Sequence, residues 1–353
     1  MSKVQTPDFS LFYEKTNITA EIEPSLLELT YTDYLEGQSD ELSVQFEDIN
    51  GKWIRQWFPT QGDKLKAAIG YQCEPLVEIG AFEIDEVEYS YHPSSITLRA
   101  LSTGISKANR TLKPKAYENT TLAQVVAAVA NRLKLKVVGK IRHIPIQRIT
   151  QYQERDVEFL ARLAREYHHS FKIVSNQLVF TDKDELGQTE PVAVLDETQC
   201  ISILLRDRIK DTAKQVEIKG FDTSGKKVVK KSKKATALRP KMQQAQAASG
   251  DTLKITTRGE SQEQIDARGD AALSEQNEDQ SAGDITLIGN PKLVAGSTIL
   301  LKNLGVFSGK YLIKQSRHTF NKQGYTTSIE VRMLEFIPDD LMTLGMEMTN
   351  ANP

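Results

Sequence analysis

The sequence has little sulfur chemistry to offer. Among 353 residues there are two cysteines, Cys73 and Cys200, far apart and in no metal-ligand spacing. That excludes a dense disulfide framework and a cysteine zinc site, and leaves two reduced thiols as the expectation. Charge of one sign is also lacking. Lys and Arg number 45 against 47 Asp and Glu, a formal net charge of -2. A dedicated nucleic-acid binder carries a basic excess, so specific nucleic-acid binding is not expected. No apolar run reaches the roughly 18 residues of a membrane-spanning helix. Met1 to Asp8 contain no apolar stretch of the kind a secretory signal uses.

The usual catalytic signatures are missing as well. There is no Gly-Lys-Ser/Thr phosphate loop, no Gly-x-Ser-x-Gly elbow and no His-Glu-x-x-His pair. Of the five histidines, His92, His143 and His318 are scattered. His168 and His169 are adjacent, and neighbours on a helix point about 100° apart, which is wrong for chelating one ion. No catalytic residue, cofactor or metal is expected.

What remains is a chain able to bury real cores. Hydrophobic residues make up 39% and charged residues 26%, and the length suits two or three domains. Residues 1–110 read as strands. Leu42, Val44 and Phe46 alternate with polar neighbours, and Asn50-Gly51 supplies a turn. Phe82 and Ile84 alternate, then Val87, Tyr89 and Tyr91 resume in a different phase, which predicts a bulge between them.

Residues 111–190 change character to a small α/β unit. Thr121-x-x-Gln124 is a capping box, followed by one helix face at Leu122, Val125, Val126, Val129 and Leu133. A second helix is predicted over 154–168, with Glu158 and Arg162 paired on its exposed side. Glu154, Asp156 and Glu158 near its start suit the positive end of the helix dipole better than acid/base catalysis.

Residues 191–337 return to strands, with a polar excursion at 221–283, and 338–353 form a tail. The excursion holds Lys226, Lys227, Lys230, Lys231, Lys233 and Lys234, then a second capping box, Ser261-x-x-Gln264, for a polar helix through Leu273. The lysines fit a solvated hairpin tip or a contact with a protein or nucleic-acid partner. Arg268-Gly269-Asp270 is read as a chance tripeptide. Leu341, Met342, Leu344, Met346 and Met348 in the tail fit a docking segment or a frayed end.

The chain also echoes itself. Gly62-Asp63-x-Leu65 leads to Gly80-x-Phe82-x-Ile84, and Gly296-Ser297-x-Ile299 leads to Gly309-x-Tyr311-x-Ile313. A duplication and convergent hairpin chemistry both explain this pattern.

Two stretches then carry a resemblance. Gln151-x-x-Glu154-Arg155-Asp156-Val157-Glu158-Phe159-Leu160-Ala161-Arg162-Leu163-Ala164 resembles the signature of the phage late control protein D family, which includes the hub domains of VgrG-type spike proteins. The run from Gly289 through Gly309-Lys310-Tyr311, His318 and Gly324-Tyr325 is similar to that family's second barrel, and Trp57 to Asp85 to its first. The resemblance covers roughly residues 5–337. Arg155 departs from it, since members usually carry a small residue there.

The resemblance implies an α+β fold with two similar β-barrel tube domains flanking the α/β insert and the polar helical segment. It implies structural roles for Glu154, Asp156, Phe159, Leu160, Leu163, Gly80, Phe82, Gly309 and Tyr311, with Lys226, Lys227, Lys230 and Lys231 as a candidate partner contact. His318 is expected near a subunit contact. The implied function is a non-enzymatic baseplate hub of a contractile phage tail, tailocin or related injection system. Such a hub is a homotrimeric ring joining the hexameric tail tube, or a tube-initiator protein, to a separate spike, with tape-measure and baseplate wedge proteins as further partners. It would be made in the bacterial host cytoplasm and end in the virion. A tail-associated cell-wall hydrolase and a carbohydrate-binding adaptor are the competing classes.

Overall fold

The computed structural model describes residues 5–102, 112–174, 177–208, 212–222, 227–235, 251–258 and 260–341. No helix among them is long and apolar enough to cross a membrane.

The first strand group comprises β1 (Pro7–Tyr13), β2 (Thr16–Asn17), the short helix α1 (Thr19–Ile22), β3 (Leu26–Tyr34), β4 (Glu41–Glu47), β5 (Lys64–Tyr71), β6 (Val77–Ser90) and β7 (Ser95–Leu101). Leu42, Val44 and Phe46 of β4 bury their side chains while Ser43 and Gln45 stay half-buried, as period-2 alternation requires. The α/β unit follows: β8 (Lys113–Thr121), α2 (Leu122–Leu133), β9 (Lys136–Val138), β10 (Pro145–Glu154), α3 (Asp156–Glu166), β11 (His169–Val174), β12 (Gln177–Asp182) and α4 (Lys183–Gly187). Its helices enclose a core of their own that includes Leu122, Val126, Phe159, Leu160, Leu163 and Tyr167.

The rest holds β13 (Pro191–Leu195), β14 (Cys200–Asp207), β15 (Gln215–Asp222), β16 (Lys227–Lys234), β17 (Thr252–Arg258), α5 (Gln262–Asn277), β18 (Ser281–Ile288), β19 (Thr298–Leu301), β20 (Gly309–Asn321) and β21 (Gly324–Phe336). Strands β15 to β17 form a separate three-stranded sheet under α5, with a small core around Val216, Ile218 and Ile265.

The fold is mostly β, but the two expected barrels are corrected: no closed barrel forms among the described residues. Both strand groups belong to one 13-stranded sheet, ordered β14-β18-β21-β20-β3-β4-β7-β6-β5-β1-β2, with β19 and β13 branching from β20. The link is an antiparallel ladder between β3 and β20, running from Gln315↔Tyr34 to Asn321↔Glu28. Closure fails because β14 and β2 end the sheet with one neighbour each.

Within that sheet the two groups repeat each other. Strands β3, β4, β7, β6, β5 follow the same order as β14, β18, β21, β20, β19. The Gly62 N–H donates to Ile84 O and the Ile84 N–H to Asp63 O, both at 2.8 Å; the Gly296 N–H donates to Ile313 O and the Ile313 N–H to Ser297 O, both at 2.9 Å. Bulges coincide too. β6 slips against β7 between Ile84 and Glu86, and β20 against β21 between Ile313 and Gln315. β3 slips against β4 between Leu26 and Glu28, and β14 against β18 between Cys200 and Ser202. Convergent hairpins have no reason to share four such details, which favours a structural duplication.

Helix ends differ modestly from the sequence expectation. Both capping boxes form, at Thr121–Gln124 and Ser261–Gln264. The second helix is shorter than 154–168, since Glu154 still belongs to β10, and α5 runs past Leu273 to Asn277.

The paired glycines give a test. Gly80 (φ +113°) has open space where a Cβ would sit, whereas a Cβ at Gly309 (φ +150°) would lie 2.2 Å from Glu335 O. Gly80→Ala should cost about 1 kcal/mol from backbone strain alone, and Gly309→Ala about 3 kcal/mol or more. Urea melts of the two variants check the difference.

Candidate assembly site

The signature helix α3 presents Phe159, Leu160 and Leu163 to the α/β core, all fully buried. Asp156 stands in the first turn of α3. It is buried there in an ion pair with Arg132 at 2.6 Å, and its Oδ1 also accepts from Gln151 at 2.9 Å. Arg132 further donates to the Tyr117 hydroxyl at 2.6 Å, so one guanidinium ties α2, β8, β10 and α3 together. Glu158 does not pair with Arg162. Its carboxylate accepts from the Arg155 N–H at 3.0 Å, and Arg162 turns to Glu154 at 2.8 Å and Glu166 at 3.1 Å. The Arg155 side chain is half exposed and reaches only Glu158.

Two lysines, Lys172 partly buried and Lys183 fully so, join the α/β unit to the sheet. Lys172 on β11 contacts Asp33 at 2.6 Å and Asp40 at 3.3 Å. The other Asp33 oxygen accepts from the Ala295 N–H at 2.9 Å, so this carboxylate touches all three parts of the chain. Burial, together with the competing Asp33 charge, pushes Asp40 up to about 6 despite Lys172. Lys183 on α4 is fully buried and contacts Glu36 at 2.6 Å, and Glu275 and Glu278 at 3.2 Å each. These carboxylates lie close enough together to ligate a cation, and the Lys183 ammonium already occupies that place. Burial opposes ionisation of Glu278, but Arg332 and Lys183 hold it down to about 2.

The histidines take structural places. His168 faces Asp184 at 3.4 Å, while His169 Nδ1 donates to Tyr167 O at 2.7 Å and its Nε2 accepts from the Arg142 N–H at 3.2 Å. His318 is fully buried in β20, opposite Tyr31 of β3, and the rings stack at 5.8 Å. It therefore sits at the seam between the two strand groups of one chain. Its Nε2 lies 3.2 Å from Leu293 O, which can only accept, so Nε2 carries the proton and Nδ1 accepts from the Tyr325 hydroxyl at 2.8 Å. Burial lowers His169 and His318 to about 4 each.

Phe82 and Tyr311 fill equivalent core places, each fully buried, and the Tyr311 hydroxyl donates to Phe307 O at 2.8 Å. Of the lysine cluster, Lys226 lies outside the described residues, as do Met342, Leu344, Met346 and Met348 of the tail. Lys227, Lys230 and Lys231 stand on strand β16, which pairs antiparallel with β15; the connecting residues 223–226 lie outside the described residues. Lys230 is exposed, whereas Lys231 contacts Asp270 at 3.0 Å and Lys233 contacts it at 3.1 Å. Arg268, on the same helix, pairs with Glu260 and Glu166, and a Cβ at Gly269 would press on Ile218 at 2.9 Å. That tripeptide thus packs α5 onto its small sheet.

Residues 100–324 match the family model described as phage tail baseplate hub. The chain belongs to this family. Over 177 residues this hub-family chain is 32% identical to the probable baseplate hub protein of Escherichia phage P2, covering 50% of this chain and 45% of that protein. The chain thus spans about half the length of the curated relatives it matches. A 43 kDa tail protein of prophage MuSo2 from Shewanella oneidensis superposes with a TM-score of 0.67 at 16% identity, covering 93% of this chain and 98% of that one. An E. coli component of the type VI secretion system, described as structurally similar to T4 bacteriophage tail proteins, superposes at 0.54 with 12% identity, covering 89% and 73%. At such identities the likeness is one of fold.

Two outcomes follow. Lys183→Met would leave Glu36, Glu275 and Glu278 facing one another with Arg332 beside Glu278 alone, and should destabilise the hub-family fold by about 3 kcal/mol in denaturant melts. Acid should also weaken it. Groups with depressed pKa values stabilise fully above their unfolded values, so His169 and His318 lose on the order of 3 kcal/mol each as pH falls from about 6.5 to 4. Asp40, with its raised pKa, runs the other way over about 6 to 4 and offsets only part of this loss. The midpoint should drop across that window, and His318→Gln should flatten the slope.

Proposed function

We propose that the chain is the structural hub of a contractile tail baseplate or a related injection machine. It forms a homotrimeric ring and acts by geometry, with no chemical step of its own. The observation that carries this reading is the structural repeat. One chain holds two strand groups with the same order, the same reciprocal Gly–Ile bonds and the same bulges. Three chains then present six similar groups around one axis, which allows a three-fold object to mate with a six-fold one.

In this reading one face of the ring receives the hexameric tail tube or its initiator protein, and the other holds a separate spike. The tape-measure and wedge proteins are further neighbours, the host cytoplasm is the place of synthesis, and the virion tail is the final location. The signature residues Glu154, Asp156, Phe159, Leu160 and Leu163 serve to fix the α/β unit, and the exposed Lys230 is available to a partner. Family membership and the fold of the superposed tail protein support the assignment.

The test is assembly. Native mass measurement of the purified chain should give a trimer, cryo-images should show an axial hole, and tube and spike subunits should co-purify with it. A chain that stays monomeric alone and in the assembled tail would overturn the proposal.

A further inference from the structure

The repeat leaves one contact used once and available twice. In the described structure, β3 of the first group pairs with the C-terminal half of β20 in the second. By the shared order and bulges, the counterpart of β3 is β14, and the counterpart of Gln315–Thr319 is Glu86–Ser90 of β6. Both counterparts have an open edge among the described residues. β14 pairs only with β18, and β5 covers β6 only from Val77 to Glu83, leaving Glu86–Ser90 with β7 alone. Among the described residues neither edge has a second strand beside it, which makes each a template for another strand.

The register of the internal ladder can be carried over residue by residue. Gln315↔Tyr34, Arg317↔Thr32 and His318↔Tyr31 become Glu86↔Arg208, Glu88↔Arg206 and Tyr89↔Leu205. The chemistry of the two edges fits that register without adjustment. Two carboxylates meet two guanidiniums on one face. Tyr89, 43% exposed in the single chain, meets Leu205 on the other face, as buried His318 meets Tyr31. Glu86 and Glu88 are now held by Arg99 at 2.9 and 3.2 Å, and Arg206 by Asp284 at 3.1 Å, all in exposed positions where a second partner can be added.

We propose that the open edge of β14 in one copy pairs antiparallel with residues 86–90 of β6 in a second copy, in the register Glu88↔Arg206 and Tyr89↔Leu205. This rests on the ring reading and names its subunit contact. The contact is head-to-tail, so it forms a closed ring when each step repeats the rotation already made between β3 and β20 inside the chain. The two edges cannot satisfy each other within one chain, because six strands separate them along the sheet.

A double-cysteine variant tests the register. Tyr89→Cys with Leu205→Cys, in a background with Cys73→Ser and Cys200→Ser, should give covalent trimer on a non-reducing denaturing gel after mild oxidation. Neither single variant should form that species. A charge exchange is the second measurement, independent of disulfide geometry. Glu88→Arg and Arg206→Glu should each weaken association about tenfold, with only a small shift in the melt of the single chain from the lost surface pairs, and the combination should recover most of the association. A native trimer that neither cross-links nor shows recovery overturns this contact and leaves the ring reading standing. A monomeric unsubstituted chain overturns both.

Discussion

A ladder of seven antiparallel residue pairs between β3 and β20 holds the two strand groups in one sheet, and the remaining architecture depends on it. The ladder is unusually polar for a buried seam. Asp33, Ser316 and His318, with Thr327 of the adjoining β21, are all nearly inaccessible to water. Burying such groups is costly unless each finds a partner, and here they do. Ser316 and His318 meet Leu293 O, Thr327 and Tyr325 meet His318, and Asp33 meets Lys172 and the Ala295 N–H. Apolar packing follows the same path. Phe320 and Tyr325 come from the second strand group but lie in the core of the first, stacked at 3.9 Å.

The α/β unit is oriented from that seam. Ser170 donates to Leu35 O, Lys172 binds Asp33 and Asp40, and Lys183 binds Glu36, so the segment 33–40 acts as a common anchor. Removing one member of such a buried set exposes the others to uncompensated charge. The joint is therefore specific to one geometry, where an apolar contact would tolerate sliding.

How much of this could be read from the sequence follows from the range of each interaction. Period-2 alternation located β4 and the Phe82 and Tyr311 pairs, and the 3.6-residue face located α2, whose Leu122, Val125, Val126 and Val129 are buried. Both capping boxes were legible because donor and acceptor lie three residues apart. Alternation says which face of a strand is covered and not which strand lies beside it. The phase break after Ile84 did announce one bulge, but the single sheet, the alignment of bulges between the two groups and the absence of a closed barrel among the described residues were invisible. The same limit explains Asp156 and Glu158. Their first-turn position was plain, but Arg132 lies on another helix and nothing local announces it.

The β3–β20 ladder also has a kinetic meaning. Because both strands belong to one polypeptide, they meet at an effective concentration set by the connecting chain, independent of how dilute the protein is. In the proposed ring every second ladder is of this kind, and only the alternate ones await a bimolecular collision. Tethering two repeats in one chain cuts the encounters needed to gather six groups from five to two. It also removes the odd-numbered assemblies of single repeats, so that a ring of six similar groups is reached in two additions and one closure, with fewer dead ends.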